Sequence, residues 1–345
     1  MRVASVLCGV GGHTPERVVT NDELSATYDT SDQWIRERTG IVQRRRAAPG
    51  QSTGDLAVEA ARVALASAER SSGPAPVDLV VLATSTPDRP CPATAPSVAH
   101  RLGLGPVPAF DVDAVCSGFV YGLAVADGMI AAGTARRVLL VGADTFSTIL
   151  NPADRTTAAI FGDGAGAVVL RAGERGEPGA LQGLDLGSDG GQADLITVVA
   201  GGSRVPDRAT APEADRFFAM QGQAVYRNAV ARMAQTARAA LAKAGWGVHD
   251  VNRFIAHQAN ARLLAAAGAE LGIEAERAYR NISEVGNTVA ASIPLALADA
   301  ATDGALLPGD RVLLAAFGGG TTWGAAALTW PELAAFPRPE RTASP

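Results

Sequence analysis

Cys116, His257 and Asn287 are the residues of this 345-residue chain whose types suit a covalent acyl intermediate. Cys116 follows the apolar run FDVDAV and precedes SGFVYGLAVADGMIAAG, which reads as a buried helix. That order sets the sulfur at a helix N-terminus, where the dipole and the open N–H groups favour thiolate, the nucleophilic form. A cysteine so placed is also read as a small core hydrophobe, and position alone leaves both readings standing. His257 closes the apolar run RFIAHQ just before a helix that starts near Asn260. Sites in open α/β sheets form at the carboxyl ends of strands, so the setting suits chemistry, with a hydrogen-bonded structural histidine as the alternative. His13 in a turn, His100 at a helix end and His249 in the linker GWGVHD have weaker settings. Asn287, in SEVGNTVAAS, is by itself a turn residue or an N-cap. The glycines 318–320 read either as a tight turn or as backbone N–H groups presented to an oxyanion.

The elements that must position these residues alternate as in an α/β protein with a buried sheet. Strands are predicted at 78–84, 108–115, 137–143, 166–172, 253–258 and 311–317, and helices at 54–70, 117–132, 221–245 and 259–271. RVLLVGAD at 137 matches RVLLAAFG at 311, and VDLVVLAT at 77 takes the place of VNRFIAHQ at 251; 311 − 137 and 251 − 77 both give 174. One shared offset in two pairs points to a duplicated α/β unit, with halves 1–175 and 176–345 divided in a polar stretch near 172–180. The segment GSDGGQADLITVVAGGSRVPDRATAPEAD is expected to be a long loop or insertion in the second half.

Several classes are disfavoured by composition. The chain is 47% hydrophobic and 19% charged with a net charge of -5, as for a soluble globular protein that lacks the basic face of a nucleic-acid binder. Three scattered cysteines, Cys8, Cys91 and Cys116, give neither a disulfide framework nor a metal-ligand spacing, so a reducing cytoplasm and no metal are expected. The opening MRVASVLCGVGG is too short an apolar run for a membrane span and has no cleavage site. GVGG (9–12) and GDGAGA (162–167) look like dinucleotide loops, but no helix follows either, so they are read as allowing tight strand turns. The RRR run at 44–46 is read as a solvated face.

Taken together, six ordered motifs carry a resemblance: SDQWIRERTGI (31–41), FDVDAVCSGF (110–119), DRTTAAIFGDGAGAVV (154–169), HQANAR (257–262), GNTVAAS (286–292) and AFGGGTTWGA (316–325). The chain resembles the β-ketoacyl-acyl-carrier-protein synthase III enzymes of the thiolase-like superfamily over nearly its whole length. The resemblance implies two similar α/β halves in a five-layered αβαβα core and a homodimer. It implies that Cys116 takes an acyl group from acyl-CoA, with the N–H groups of Cys116 and Gly319 as the oxyanion hole. His257 and Asn287 would then donate hydrogen bonds to the thioester carbonyl of malonyl-acyl carrier protein as carbon dioxide leaves, and the carbanion would attack the acyl-cysteine. No metal or redox cofactor enters this scheme. Trp34, Arg38 and Arg155 match positions that contact coenzyme A, and Arg262 matches one that docks the acidic carrier protein.

Departures from the family pattern bear on substrates. Ala269 and Glu270 stand where relatives often carry lysines, which weakens the expected docking patch. Cys91 takes the place of a phenylalanine that narrows the acyl pocket in some relatives, so a pocket roomier than acetyl needs is expected. Alternatives are transfer of the acyl group to a non-malonyl acceptor, a non-catalytic partner subunit, and a cysteine hydrolase. For the last, 257 − 116 gives the papain-like spacing of 141, but no CGSCW-type signature surrounds Cys116.

Overall fold

The computed structural model describes residues 3–333; residues 1–2 and 334–345, which the two expected halves include at their outer ends, lie outside the described residues. One sheet contains β1 (Val3–His13), β4 (Leu79–Ala83), β5 (Ala109–Val112), β6 (Arg137–Asp144) and β7 (Gly164–Glu174) in the order β1-β7-β6-β4-β5. The other contains β8 (Leu181–Ser188), β11 (Arg253–Ala256), β12 (Arg311–Gly318) and β13 (Thr322–Thr329) in the order β11-β12-β13-β8. LVVLA and RVLLVGAD are buried along their whole length, as strands covered on both faces must be.

The sheets repeat one pairing plan. β4 pairs parallel with β6 from Leu79↔Val138, and β11 pairs parallel with β12 from Arg253↔Val312, the same pair displaced by 174 residues (253 − 79 and 312 − 138). Each is followed by two antiparallel neighbours, β7 and β1 in the first sheet, β13 and β8 in the second. The duplication therefore extends from sequence to register.

Helices separate and cover the sheets. α3 (Thr53–Ser72) and α4 (Ala95–Arg101) pack on the outer face of the first. α5 (Gly118–Ala131) and α10 (Ser292–Thr302) lie between the two, and α7 (Gly222–Ala244) and α8 (Ala261–Leu271) cover the second, giving five αβαβα layers. α5 follows from its composition: GFVYGLAVADGMIA has no basic residue and one acidic residue, as a helix sandwiched between sheets requires. α3 starts at a capping box in which Ser52 accepts from Asp55 N and Asp55 accepts from Ser52 N.

Smaller elements depart from the sequence reading. β2 (Arg17–Thr20) and β3 (Gln43–Arg46) form a two-stranded sheet around α1 (Asn21–Thr27) and α2 (Asp32–Thr39). In β3 the alternation of the strand turns Arg44 inward, so the RRR run is not a solvated face: Arg44 is 0% exposed and donates to Val19 O, Asn21 Oδ1 and Ala159 O. Burial pushes its guanidinium down to about 10, which still leaves it charged at neutral pH. The glycines of GVGG and GDGAGA do not make turns either. Gly9 and Gly11 lie inside β1, where a Cβ would stand 2.5 and 2.4 Å from Ala64 backbone atoms, so their absence lets α3 lie against the strand. Gly164 and Gly166 lie inside β7. The strand expected at 108–115 stops at Val112.

The long segment of the second half is structured. It carries β9 (Ile196–Thr197), which pairs with β10 (Ala219–Met220) just beyond the segment's end at Asp215, where Phe218 N donates to Ile149 O at 2.9 Å. α6 (Arg155–Ala158) and α9 (Ile282–Val285) complete the described helices.

Candidate active site

Cys116 and Asn287 stand on two copies of one turn. In the first, Asp113 Oδ1 accepts from Val115 N at 3.1 Å, Val115 has φ +47°, and the 3-10 turn Val115–Ser117 leads into α5. In the second, Asn287 Oδ1 accepts from Val289 N at 2.9 Å, Val289 has φ +53°, and the 3-10 turn Val289–Ala291 leads into α10. Here 289 − 115 is again 174. A β-branched residue at positive φ costs about 1–3 kcal/mol and persists only where the surroundings hold it. The strand predicted at 108–115 ends at Val112, and Cys116 sits in this turn and not in the strand. The two turns touch each other.

Their surroundings hold them tightly. Ser117 Oγ donates to Thr322 O and Thr322 Oγ1 donates to Ala114 O, both at 3.0 Å, which ties the cysteine turn to the bend between β12 and β13. Asn287 N donates to Ile160 O and Gly162 N to Asn287 O, both at 2.9 Å. Buried Asp144 accepts from Ser85 N, Thr84 Oγ1 and Thr86 Oγ1 on one oxygen and from Ala290 N on the other. With Oδ1 committed to Val289, the Asn287 side chain keeps its two N–H donors for the cavity.

His257 follows β11 and is 2% exposed, and its backbone N–H donates to Ala315 O at 2.8 Å. Cys116, His257 and Asn287 together line one cavity of about 450 Å³, counting its open mouth. The rest of its wall is apolar. Phe146, Phe161 and Phe218 pack with ring centroids 4.8 to 5.1 Å apart, Ile196 comes from the segment expected to be a loop, and Met220 from β10 just after it. Three sequence-selected polar residues thus meet in an otherwise greasy chamber, where burial pushes His257 down to about 3 and keeps its imidazole neutral.

The helix dipole, which favours thiolate, is opposed at Cys116. Burial pushes the thiol above its ordinary range, Asp144 pushes the same way, its own backbone N–H opposes them, and Asp113 adds a smaller upward push. Desolvation outweighs the dipole because Cys116 is 9% exposed and lines an apolar wall. Below a raised pKa the thiolate fraction grows about tenfold per pH unit. Alkylation of Cys116 by iodoacetamide, followed by peptide mass, is therefore expected to climb from about pH 6 to about pH 9 without levelling; a plateau near neutrality would contradict the raised thiol.

The other selected residues lie around this chamber. Trp34 on α2 is flanked by Arg38 and Arg155, whose guanidinium carbons stand 4.6 and 5.4 Å from its ring centroid. Arg155 also bonds the Asp29 backbone carbonyl. Arg262 is exposed on the first turn of α8, whose Leu263 lines the cavity. Gly319 lies just beyond β12, where a Cβ would meet Val115 Cγ2 at 3.1 Å and Ile196 Cγ2 at 3.2 Å. Cys91 is exposed and is not in the cavity wall of its own chain. Gly318, read in the sequence only as part of a glycine turn, has the further role of letting β12 approach the cysteine turn, since a Cβ there would stand 2.8 Å from Cys116 N; sequence reasoning missed exposed Arg227 near the start of α7, the helix whose Val225 and Ala229 line the cavity. The missed signal for the turn was the 174 offset itself, which lays FDVDAVCSGF on EVGNTVAASI.

Comparison with known proteins gives a consistent pattern. The family model described as 3-oxoacyl-[acyl-carrier-protein] synthase III matches residues 110–190, and the model of its C-terminal part matches residues 241–330. The chain is 62% identical over 335 residues to beta-ketoacyl-[acyl-carrier-protein] synthase III 3 of Streptomyces coelicolor, covering 96% of this chain and 99% of that one. It is 53% identical over 330 residues to beta-ketoacyl-[acyl-carrier-protein] synthase III of Pseudomonas aeruginosa, covering 96% and 98%. Among solved structures, 3-oxoacyl-(acyl carrier protein) synthase III from Pseudomonas aeruginosa superposes with a TM-score of 0.89 at 52% identity over 96% of this chain and 99% of that one. The priming β-ketosynthase of a polyketide biosynthetic pathway gives 0.89 at 33% over 96% and 97%.

Proposed function

The chain belongs to the 3-oxoacyl-acyl-carrier-protein synthase III family, and from that premise we propose how its own residues carry out a priming condensation. The supporting observation is the meeting of Cys116, His257 and Asn287 on one apolar cavity. An acyl-CoA presents its thioester there. The Cys116 sulfur, as thiolate, attacks the carbonyl carbon; the oxyanion collapses, the carbon–sulfur bond to coenzyme A breaks, and the departing thiolate takes up the proton that Cys116 gave. The N–H groups of Cys116 and Gly319 receive the transient negative charge. Phe146, Phe161 and Phe218 face the acyl chain.

A malonyl thioester on acyl carrier protein follows. His257 and Asn287 donate to its thioester carbonyl oxygen, which accepts the electron pair left as carbon dioxide departs. The resulting carbanion attacks the acyl-Cys116 carbonyl, a carbon–carbon bond forms, and Cys116 leaves as thiolate and takes one proton from solvent to return to the thiol, with a β-ketoacyl thioester as product. Both donors are neutral and are not consumed, so the balance closes without a metal or redox cofactor. This activity starts fatty acid or polyketide chains.

The outer residues fit this reading. Trp34 and Arg38 offer a stacked face for adenine and Arg155 a charge for phosphate. Arg262 and Arg227 flank the two helices that line the cavity, where an acidic carrier would dock, and Glu270 is partly offset by Arg238 at 3.6 Å. β5 pairs only with β4 and ends its sheet, with Phe110 and Val112 half-buried, an edge on which a second copy of the chain would pair to form the homodimer. Asp111 on that edge accepts from Thr94 N and Ala95 N, which holds the exposed segment with Cys91 beside the edge where the second copy would pair. Among the described residues no helix is long and apolar enough to cross a membrane, and the three cysteines are free, which supports a cytoplasmic setting.

The test offers wild-type protein a mixture of acyl-CoAs with malonyl-acyl carrier protein and identifies the product by mass. A β-ketoacyl carrier protein is expected, with a primer longer or more branched than acetyl accepted. Release of free acid alone, or acyl transfer without carbon dioxide release, would overturn the condensation.

A further inference from the structure

The chemistry above needs His257 to present a proton to the cavity, and a neutral imidazole has only one. Which nitrogen carries it decides whether His257 is a donor to the malonyl carbonyl or a base toward the Cys116 thiol. His257 Nδ1 lies 2.6 Å from Ser292 Oγ, a residue 1% exposed at the start of α10. Gln258 N donates to the same Oγ at 3.4 Å. Among the described residues the hydroxyl has no other partner.

Counting protons over these three atoms separates the two arrangements. If Nδ1 carried the hydrogen, Ser292 Oγ would receive two N–H donors and its own hydroxyl hydrogen would be left in a buried place without an acceptor, which costs about 1–3 kcal/mol. If Ser292 instead accepts from Gln258 N and donates to Nδ1, every group is satisfied. The hydrogen then sits on Nε2, the nitrogen left for the cavity.

We propose that Ser292 is a positioning residue that fixes His257 as its Nε2–H tautomer, so that this imidazole acts as a hydrogen-bond donor in condensation and not as the base for Cys116. The position is legible as a second use of the duplication: Ser292 begins α10 where Gly118 begins α5, and 292 − 118 is 174. In the first half no histidine needs holding. In the second half a hydroxyl at the helix start faces the strand end that carries His257. This inference rests on the proposed condensation for its catalytic meaning, but the tautomer itself is independent of it.

The experiment labels the histidines of the full chain with ¹⁵N and reads the ring nitrogens by long-range proton correlation, with the His257 signals identified by their loss in His257→Gln. Wild type is expected to show the Nε2–H pattern, and Ser292→Ala a mixture of both tautomers. The same variant is expected to acylate Cys116 at the wild-type rate while its condensation kcat falls by about tenfold or more, short of the 10²–10³ that follows outright loss of a donor. Ser292→Thr, which keeps the hydroxyl, is expected to restore the Nε2–H pattern. An Nδ1–H pattern in wild type, or an unchanged tautomer in Ser292→Ala, overturns the proposal. Failure of wild type to form a β-keto product, with the tautomer shift still seen, overturns the condensation reading alone.

Discussion

Cys116→Ala is expected to leave no acyl adduct after incubation with acyl-CoA, while His257→Ala and Asn287→Ala keep the adduct and lose condensation by about 10²- to 10³-fold each, or about 2.7–4 kcal/mol. The separation follows from what each group does. The sulfur is the only atom of the three that forms a bond to carbon; the other two only stabilise charge on an oxygen. Cys116→Ala removes one sulfur from a wall already lined by Val115 and three phenylalanines, so the chamber and both donors survive. The same variant is accordingly expected to go on releasing carbon dioxide from malonyl-acyl carrier protein without making the β-keto product. Intact-mass measurement of the protein reads the adduct, and carbon dioxide release reads the second half-reaction. An adduct that persists in Cys116→Ala, or one that disappears in Asn287→Ala, would contradict this division of labour.

The donors are expected to differ in how their loss spreads. Asn287 also caps its own turn through Val289 N, and its backbone bridges to Ile160 and Gly162, so Asn287→Ala removes a turn bond together with the donor. His257 is held by Ser292 and by its backbone, and its ring can be deleted without touching a turn. A larger fall in melting temperature for Asn287→Ala than for His257→Ala accompanies the kinetic loss.

Much of this arrangement is legible in the sequence because the duplication writes it twice. The strands at 137 and 311 share a pattern that only strands covered on both faces need, and the 174 offset carries over to the pairing register. His257 is legible from its place after β11. Asn287 is less so: its turn copies that of Cys116, yet FDVDAVCSGF and EVGNTVAASI share little beyond Asp113 facing Asn287 and Val115 facing Val289. What the copies have in common is backbone conformation, a side-chain oxygen accepting from a valine at positive φ, and residue identity reports that poorly.

Other features depend on contacts far apart in the chain. Arg44 reads as one of three surface arginines until β2 pairs with β3 and the pleat turns the middle of QRRR toward Ala159. The glycines of GVGG read as punctuation until α3 is laid on β1. The upward push on the Cys116 thiol is hidden from the sequence for a related reason: the helix behind it is local and visible there, whereas the apolar wall that desolvates it includes Phe146, Phe161 and Phe218, gathered from three separate segments.

Gly318→Ala is expected to suppress acylation of Cys116 by at least about 10²- to 10³-fold while leaving the thiol in place. A Cβ at this position would stand 2.8 Å from Cys116 N, 2.9 Å from Ser117 N and 3.0 Å from Ala114 O, all of them backbone atoms. No side chain can rotate away to make room. The turn is fixed by the two 3.0 Å bonds between Ser117, Thr322 and Ala114, and β12 is fixed by the pairing of Gly318 with Thr322, so the methyl group must push one against the other. Overpacking of this kind costs about 1–3 kcal/mol of stability, which a thermal melt measures separately from the chemistry. Whatever relaxation follows, the methyl covers the Cys116 N–H, the donor assigned to the thioester oxygen as the tetrahedral intermediate forms. Gly319→Ala provides the contrast, because its Cβ would meet the Cγ2 methyls of Val115 and Ile196 at 3.1 and 3.2 Å and no backbone atom nearer than Ile196 O at 3.4 Å, and a smaller loss is expected. Quenched intact-mass time courses with acyl-CoA give the rates, and thiol titration after unfolding counts the sulfur. Acylation of Gly318→Ala within about threefold of wild type would mean that the Cys116 N–H is not the oxyanion donor.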